Sequence, residues 1–279
     1  MTGRTVATGL GFVEGPTLRR SGTLAVVSLD HQRVYSIAAD GSPVVIAETD
    51  AAPNGATEGA DGTLYLTAFS GAWPARPECH GIGGIFAWRR GERVQPVSLA
   101  PAAPNDLCFG PDGRLYVTDP VRGGSSGSLW RIDVESGEAE VLAEVAWYPN
   151  GIAFDGDDTL WVADMTGRRL VRYRVAAGRL SEPVDAVALR RGRPDGFAFD
   201  VSGHVVVAAP GTPEQPASSV QVFDADGTLV EVLLDGGSTH HTNVAISAAG
   251  AAYVTEAQHG RVLALDGRCA PGLPLHPFR

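Results

Sequence analysis

The sequence predicts an all-β fold, a six-bladed β-propeller, and three observations carry that prediction. First, a short motif recurs six times: VEGP at Val13–Pro16, PNGA at Pro53–Ala56, PNDL at Pro104–Leu107, PNGI at Pro149–Ile152, PDGF at Pro194–Phe197 and TNVA at Thr242–Ala245. Aligned on Glu14, Asn54, Asn105, Asn150, Asp195 and Asn243, the copies lie 40, 51, 45, 45 and 48 residues apart. Second, ten residues after each anchor comes an apolar residue: Leu24, Leu64, Leu115, Leu160, Val205 and Tyr253. That offset survives insertions elsewhere in the units. Third, 35 glycines and 19 prolines break the chain too often for a helical bundle, and no amphipathic helical period is found. Repeats of about 40–50 residues built from short strands are propeller blades.

Each unit reads as four strands joined by Gly/Asp turns. In the fourth, Gly151–Phe154 is the inner strand, Thr159–Ala163 the second, Leu170–Val175 the third, and the stretch near Val184–Leu189 the fourth. The turns between first and second strands are short, as at Asp61-Gly62 and Asp112-Gly113. The sixth unit is incomplete. Its third strand, Val262–Asp266, is followed by a Pro-rich tail, Pro271–Pro277, that makes a poor ladder strand. Thr5–Thr8 can supply the missing strand, so the ring is expected to close through the N-terminus, removing an exposed edge. The whole chain, residues 1–279, is read as a single propeller domain.

Composition excludes several functions. All 22 basic residues counted as Lys+Arg are arginine, so a Schiff-base or P-loop lysine is ruled out. A net charge of -10 argues against a nucleic-acid partner. No apolar run reaches a membrane span, and the start MTGRTVATGLGFVEGP lacks a signal-peptide core. Three widely spaced cysteines (Cys79, Cys108, Cys269) form neither a disulfide framework nor a CxxC site. A cytoplasmic location, a small-molecule substrate and no protein partner are the corresponding expectations.

Strand polarity places all six anchors at one end of the central channel. The long connections between second and third strands lie at that same end: Phe69–Gly84, Pro120–Gly127 and Pro210–Ser219 are the largest. Function concentrates on such loops. Glu14, Asn105, Asn150 and Asp195 would therefore converge from four blades. Carboxylates and amide carbonyls are hard oxygen donors suited to Ca²⁺ or Mg²⁺. Asn and Asp also cap turns through their own backbone. Glu is a poor turn former, so Glu14 asks for another reason.

These residues resemble the gluconolactonase and senescence-marker-protein (regucalcin) family of six-bladed propellers. The resemblance rests on EGP at Glu14–Pro16, PND followed by GRLYVTDP (Asn105 to Pro120), PNG followed by LWVAD (Asn150 to Asp164), PDG at Pro194–Gly196, and TNVA leading to YVTE at Tyr253–Glu256. It implies one divalent metal, calcium first with Mg²⁺, Mn²⁺ or Zn²⁺ as alternatives, held by Glu14, Asn150 and Asp195. Asn105 would be a ligand or lie beside metal and substrate. It also implies hydrolysis of a lactone or related ester, with Asp195 as base. In sugar lactonases of the regucalcin type an Arg stands two residues before the PND Asn. Here that position is Ala103, which favours a less polar lactone or ester.

Other residues at the inferred mouth are substrate-binding candidates: Trp73, which with Phe69 could roof a pocket, and His240 and His241, which precede an anchor. Trp147-Tyr148 before Asn150 is either an aromatic wall or core packing. Gly123–Gly127 (GGSSG) fits GxSxG by spelling, but lies in a loop rather than on a strand-to-helix elbow. The alternative to hydrolysis is a non-hydrolytic propeller, a biosynthetic cyclase or isomerase, or a small-molecule binding protein.

Overall fold

The computed structural model describes residues 3–71, 74, 77, 81–234 and 238–278. Among them the chain forms six four-stranded antiparallel sheets and one two-stranded hairpin, with no helix. Five sheets run from inside to outside in chain order. Their inner strands are Val13–Leu18, Ala52–Glu58, Leu107–Phe109, Pro149–Phe154 and Phe197–Phe199. The sixth has His241–Ile246 inside, then Ala252–Glu256 and Arg261–Leu265, and takes Arg4–Ala7 as its outermost strand. Thr5 pairs with Leu263 and Ala7 with Val262. The ring is thus closed by the N-terminal strand, as expected.

The apolar alternation read from the repeats packs blade against blade. Each of the six blade interfaces has its own cluster. Tyr116, Phe154, Leu160 and Val162 fill the one between the third and fourth blades. Trp161, Phe197, Phe199 and Val207 fill the next. Ala7, Leu10, Val13, Val26 and Val262 seal the closure. The twisted blades therefore leave a central channel lined by inner strands, and the anchors stand in it.

In the fourth blade the strands lie at Leu160–Asp164, Arg169–Tyr173 and Val184–Ala188. Val175, expected at the end of the third strand, instead opens a separate hairpin in which Val175–Ala176 pairs with Arg179–Leu180. The cause is local: Ala177 and Gly178 both have positive φ (48° and 73°), the conformation of a type I′ turn.

The C-terminal tail adds no ladder strand. Only the single bridge Asp200–Gly272 forms, with Leu273 N–H donating to Phe199 C=O at 2.9 Å. The tail crosses the far end of the channel, where Leu273, Leu275 and Phe278 line a cavity of about 550 Å³. That cavity extends inward to Gly15, Asp106 and Asn243.

Candidate active site

In two of the blades the anchor strands are tied to the next blade by a threonine hydroxyl. In the second blade, Thr67 Oγ accepts from Gly55 N–H (2.7 Å) and donates to the carbonyl of Asn105 (2.5 Å), the next blade's anchor. In the third, Thr118 Oγ accepts from Asp106 N–H (3.1 Å) and donates to Asn150 C=O (2.7 Å). Blades four and five carry Ala163 and Ala208 at this position. There Gly151 N–H donates directly to Asp195 C=O (3.1 Å), and Gly196 N–H to Thr242 C=O (2.7 Å). The glycines after the anchors permit this approach. A Cβ on Gly151 would lie 2.4 Å from Asp195 O, and one on Gly196 2.0 Å from the Asn243 side chain. The repeated Gly is therefore a packing requirement between neighbouring blades.

Register breaks help aim the anchors. In the second blade the pairing jumps from Pro53 to Ala56, and in the fourth from Pro149 to Ile152, so Asn54 and Asn150 sit in bulges. Bulges re-aim side chains and recur beside functional sites. In the third and fifth blades the inner strand starts only at Leu107 and Phe197, leaving Asn105 and Asp195 just ahead of it.

Glu14, Asp195 and Asn150 act on one another, and Asn105 is linked to them through Tyr148. Glu14, Asn150 and Asp195 are buried, and Asn105 is half-buried. Burial pushes the Glu14 carboxyl well above its usual range, and the charge of Asp195 adds to the shift, while the Thr242 hydroxyl partly offsets it. Asp195 is likewise raised by burial and by Asp106, with the Asn150 side chain bonding to it in opposition. Asp106 completes an acidic group. Burial lifts it to about 6, against stabilising bonds from Leu107 N–H, the Asn243 side chain and Ile152 N–H. Two buried, like-charged carboxylates require protons or a cation. Among the described residues no three His, Cys, Asp or Glu side chains group at metal-binding distance. The set that could hold an ion is instead Glu14 and Asp195 completed by the Asn150 and Asn105 carbonyls. Such an all-oxygen set fits a hard cation.

Above the acids the mouth is walled by side chains from several blades. Tyr148 bonds to the Asn105 side chain, while Trp147 packs into the core against the cluster around Tyr116 and Phe154. The two readings of that aromatic pair are thus divided between its members. Phe12 and Phe69 gather with Leu29, Ala52 and Ala103. His240 is exposed, edge-on to Phe12 with ring centroids 6.3 Å apart, and its Nδ1 meets Thr239 Oγ at 2.5 Å. His241 is buried, its Nδ1 3.0 Å from Ser218 Oγ. Trp73 lies outside the described residues.

Sequence reasoning missed Asp106, the threonine relay and Arg122, whose Cζ lies 3.8 Å from the centroid of the Phe69 ring. The threonines were visible as Thr67, Thr118 and Thr255, at 13, 13 and 12 residues after their anchors. Arg122 carried no repeat signal, because it stands in a loop of variable length.

The comparisons with known proteins agree with this architecture. The sequence profile described as SMP-30/Gluconolactonase/LRE-like region matches residues 12–258. The chain belongs to this gluconolactonase-like family. An L-arabinolactonase from Azospirillum brasilense is 27% identical over 161 residues, covering 56% of this chain and 51% of that enzyme. The match therefore spans about half the length of that curated relative. Among solved structures, the calcium-binding protein regucalcin from Agrobacterium tumefaciens superposes with a TM-score of 0.75, at 20% identity over 98% of each chain. A gluconolactonase from Xanthomonas campestris does so with a TM-score of 0.74, at 22% identity over 94% of this chain and 89% of its own. At these identities the likeness is one of fold. As a gluconolactonase-family propeller, the chain carries its acidic ring where the inner strands begin, under the longest loops.

Proposed function

We propose that this family member is a divalent-metal-dependent lactonase acting on a small-molecule lactone or related ester. The observation that carries the reading is the pair of buried carboxylates, Glu14 and Asp195. They interact through their charges, each with a raised pKa, Glu14 bonded by the Thr242 hydroxyl and Gly15 N–H and Asp195 by the Asn150 side chain. The lactonase and calcium-binding relatives support the same reading.

Glu14, Asn150 and Asp195 would hold the ion, with Asn105 beside it. When bound, a dication supplies carbonyl polarisation and a water of lowered pKa. The chain's own groups do the rest. Tyr148 fixes the Asn105 amide, which orients the lactone. Asp195 accepts the proton of the attacking water as general base. The water oxygen bonds to the carbonyl carbon, the ring C–O bond breaks, and the released alkoxide takes back the proton held by Asp195 to give the hydroxy acid. Asn150, bonded to the Asp195 carboxyl, holds that carboxyl in line. Glu14 serves charge balance.

A panel of lactones and esters, assayed before EDTA treatment, after it, and with Ca²⁺, Mg²⁺, Mn²⁺ or Zn²⁺ restored, tests this. Turnover lost with chelation and regained with metal is the expected result. No turnover of any lactone or ester with any metal would favour a cyclase, isomerase or binding protein on the same scaffold.

A further inference from the structure

We infer that Arg122 is the specificity residue of this site and that the substrate is an acidic lactone, one carrying a free carboxylate beside the ring. The inference rests on the lactonase reading and extends it to the substrate class.

Arg122 lies in the loop between Leu115–Pro120 and Gly127–Ile132, at the end of the channel where the anchors stand. Its Cζ lies 3.8 Å from the centroid of the Phe69 ring, so the second blade holds the guanidinium of the third by its flat face. Face stacking leaves the planar fork of N–H donors free along its edge, and that fork matches a carboxylate bidentately. Three other arginines beside the loops at this end are already paired with carboxylates. Arg33 pairs with Glu48, Arg169 with Asp164 and Asp185, and Arg261 with Glu256. Among the described residues, no carboxylate pairs with Arg122. Solvent reaches it, yet the surrounding walls depress its pKa, while Asp119, Tyr148 and Glu14 act on it through their charges. It is therefore an arginine at the mouth, set on the Phe69 ring and within electrostatic reach of Glu14.

The position also answers Ala103. Phe69 packs against Ala103 on one side of the mouth and carries Arg122 on its ring. Arg122 thus brings a guanidinium to the same wall that Ala103 lines. That displaces the expectation of a less polar substrate. A chain of net charge -10 repels anions at long range, so capture of an acidic substrate is helped by a cation at the mouth, and Arg122 is placed to be one.

The test uses full-length protein with calcium and a matched pair of lactones, an aldaric acid monolactone and the aldonolactone of the same ring. Binding is measured separately by calorimetry with a tetrahydrofuran carboxylate, which cannot be hydrolysed. Wild type is expected to prefer the acidic lactone in kcat/KM. Arg122→Gln should reduce that preference by about 10- to 100-fold, mainly through KM, the loss of a charge-assisted contact. It should weaken binding of the ether carboxylate in parallel. Arg122→Lys should keep part of both, as a charge without the fork. Thermal melts of each variant separate misfolding from lost recognition. Equal preference in wild type, or equal losses on both lactones in Arg122→Gln, overturns the assignment. If neither lactone turns over but the ether carboxylate still binds through Arg122, the anion site stands and the lactonase reading fails.

Discussion

The hydroxyl of Thr118 donates to the carbonyl of Asn150 at 2.7 Å while accepting from the N–H of Asp106 at 3.1 Å. One buried side chain thus ties the anchor Asn150 to Asp106, the residue after the anchor of the adjacent blade. Removing it leaves a backbone donor and a backbone acceptor without partners in a dry interior.

Thr118→Val keeps the shape and deletes the relay. Stability by urea unfolding should fall by about 1–3 kcal/mol, the cost of stranding buried polar groups. Lactone turnover should fall as well, because Asn150 and Asp106 lose their common tether. A change under about 0.5 kcal/mol would show that the relay is incidental.

Asp195→Asn preserves volume and one oxygen donor but removes charge and basicity. Activity should drop by about 10²–10⁴-fold, the usual cost of losing a general base, and more if the ion is lost too. Metal content of the variant, measured beside its rate, separates those two causes. Activity close to wild type would mean that the proton goes elsewhere.

Glu14→Gln should lower the metal content of protein purified without chelator. Equal content in variant and wild type would remove Glu14 from the ligand set. The buried acids also set a pH dependence. Glu14, Asp106 and Asp195 all have folded pKa values above their unfolded ones, Asp106 reaching about 6. Such groups hold their protons more tightly when folded. Their contribution to stability is full below about pH 4 and is lost as pH rises through the folded values. Metal-free wild type should therefore lose melting temperature, relative to Glu14→Gln, from about pH 4 to beyond pH 6. Calcium should restore it, by an increment that grows with pH. A calcium increment that is the same at pH 5 and pH 8 would contradict the assignment.

Deleting residues 1–8 removes the strand that pairs with Arg261–Leu265, and with it Ala7 from the sealing cluster. The melting temperature should fall by about 10 °C or more, since an edge opens in the last blade and the ring loses its clasp. A truncated protein melting with wild type would show that the clasp is dispensable.

Much of this was legible in the chain itself. Six anchors at a constant ten-residue offset from an apolar strand residue determine six blades, because β-alternation and turn chemistry are local properties. The want of a fourth strand after Val262–Asp266 determined that Thr5–Thr8 must close the ring, since an unpaired edge is costly wherever it falls. Glu14, Asn105, Asn150 and Asp195 could be named because each opens a repeat. Only the tertiary structure decided what surrounds them. Asp106 enters the acidic group because Asn243 and Ile152 reach it from other blades, and its pKa rises because those blades exclude water. Tyr148 turns to the site and Trp147 to the core through a packing choice that neighbouring positions in sequence cannot express. Arg122 meets Phe69 across two loops of different blades, 53 residues apart in sequence. Loop length follows no repeat, so a contact between loops is set by the ring that brings them together and by nothing periodic in the chain.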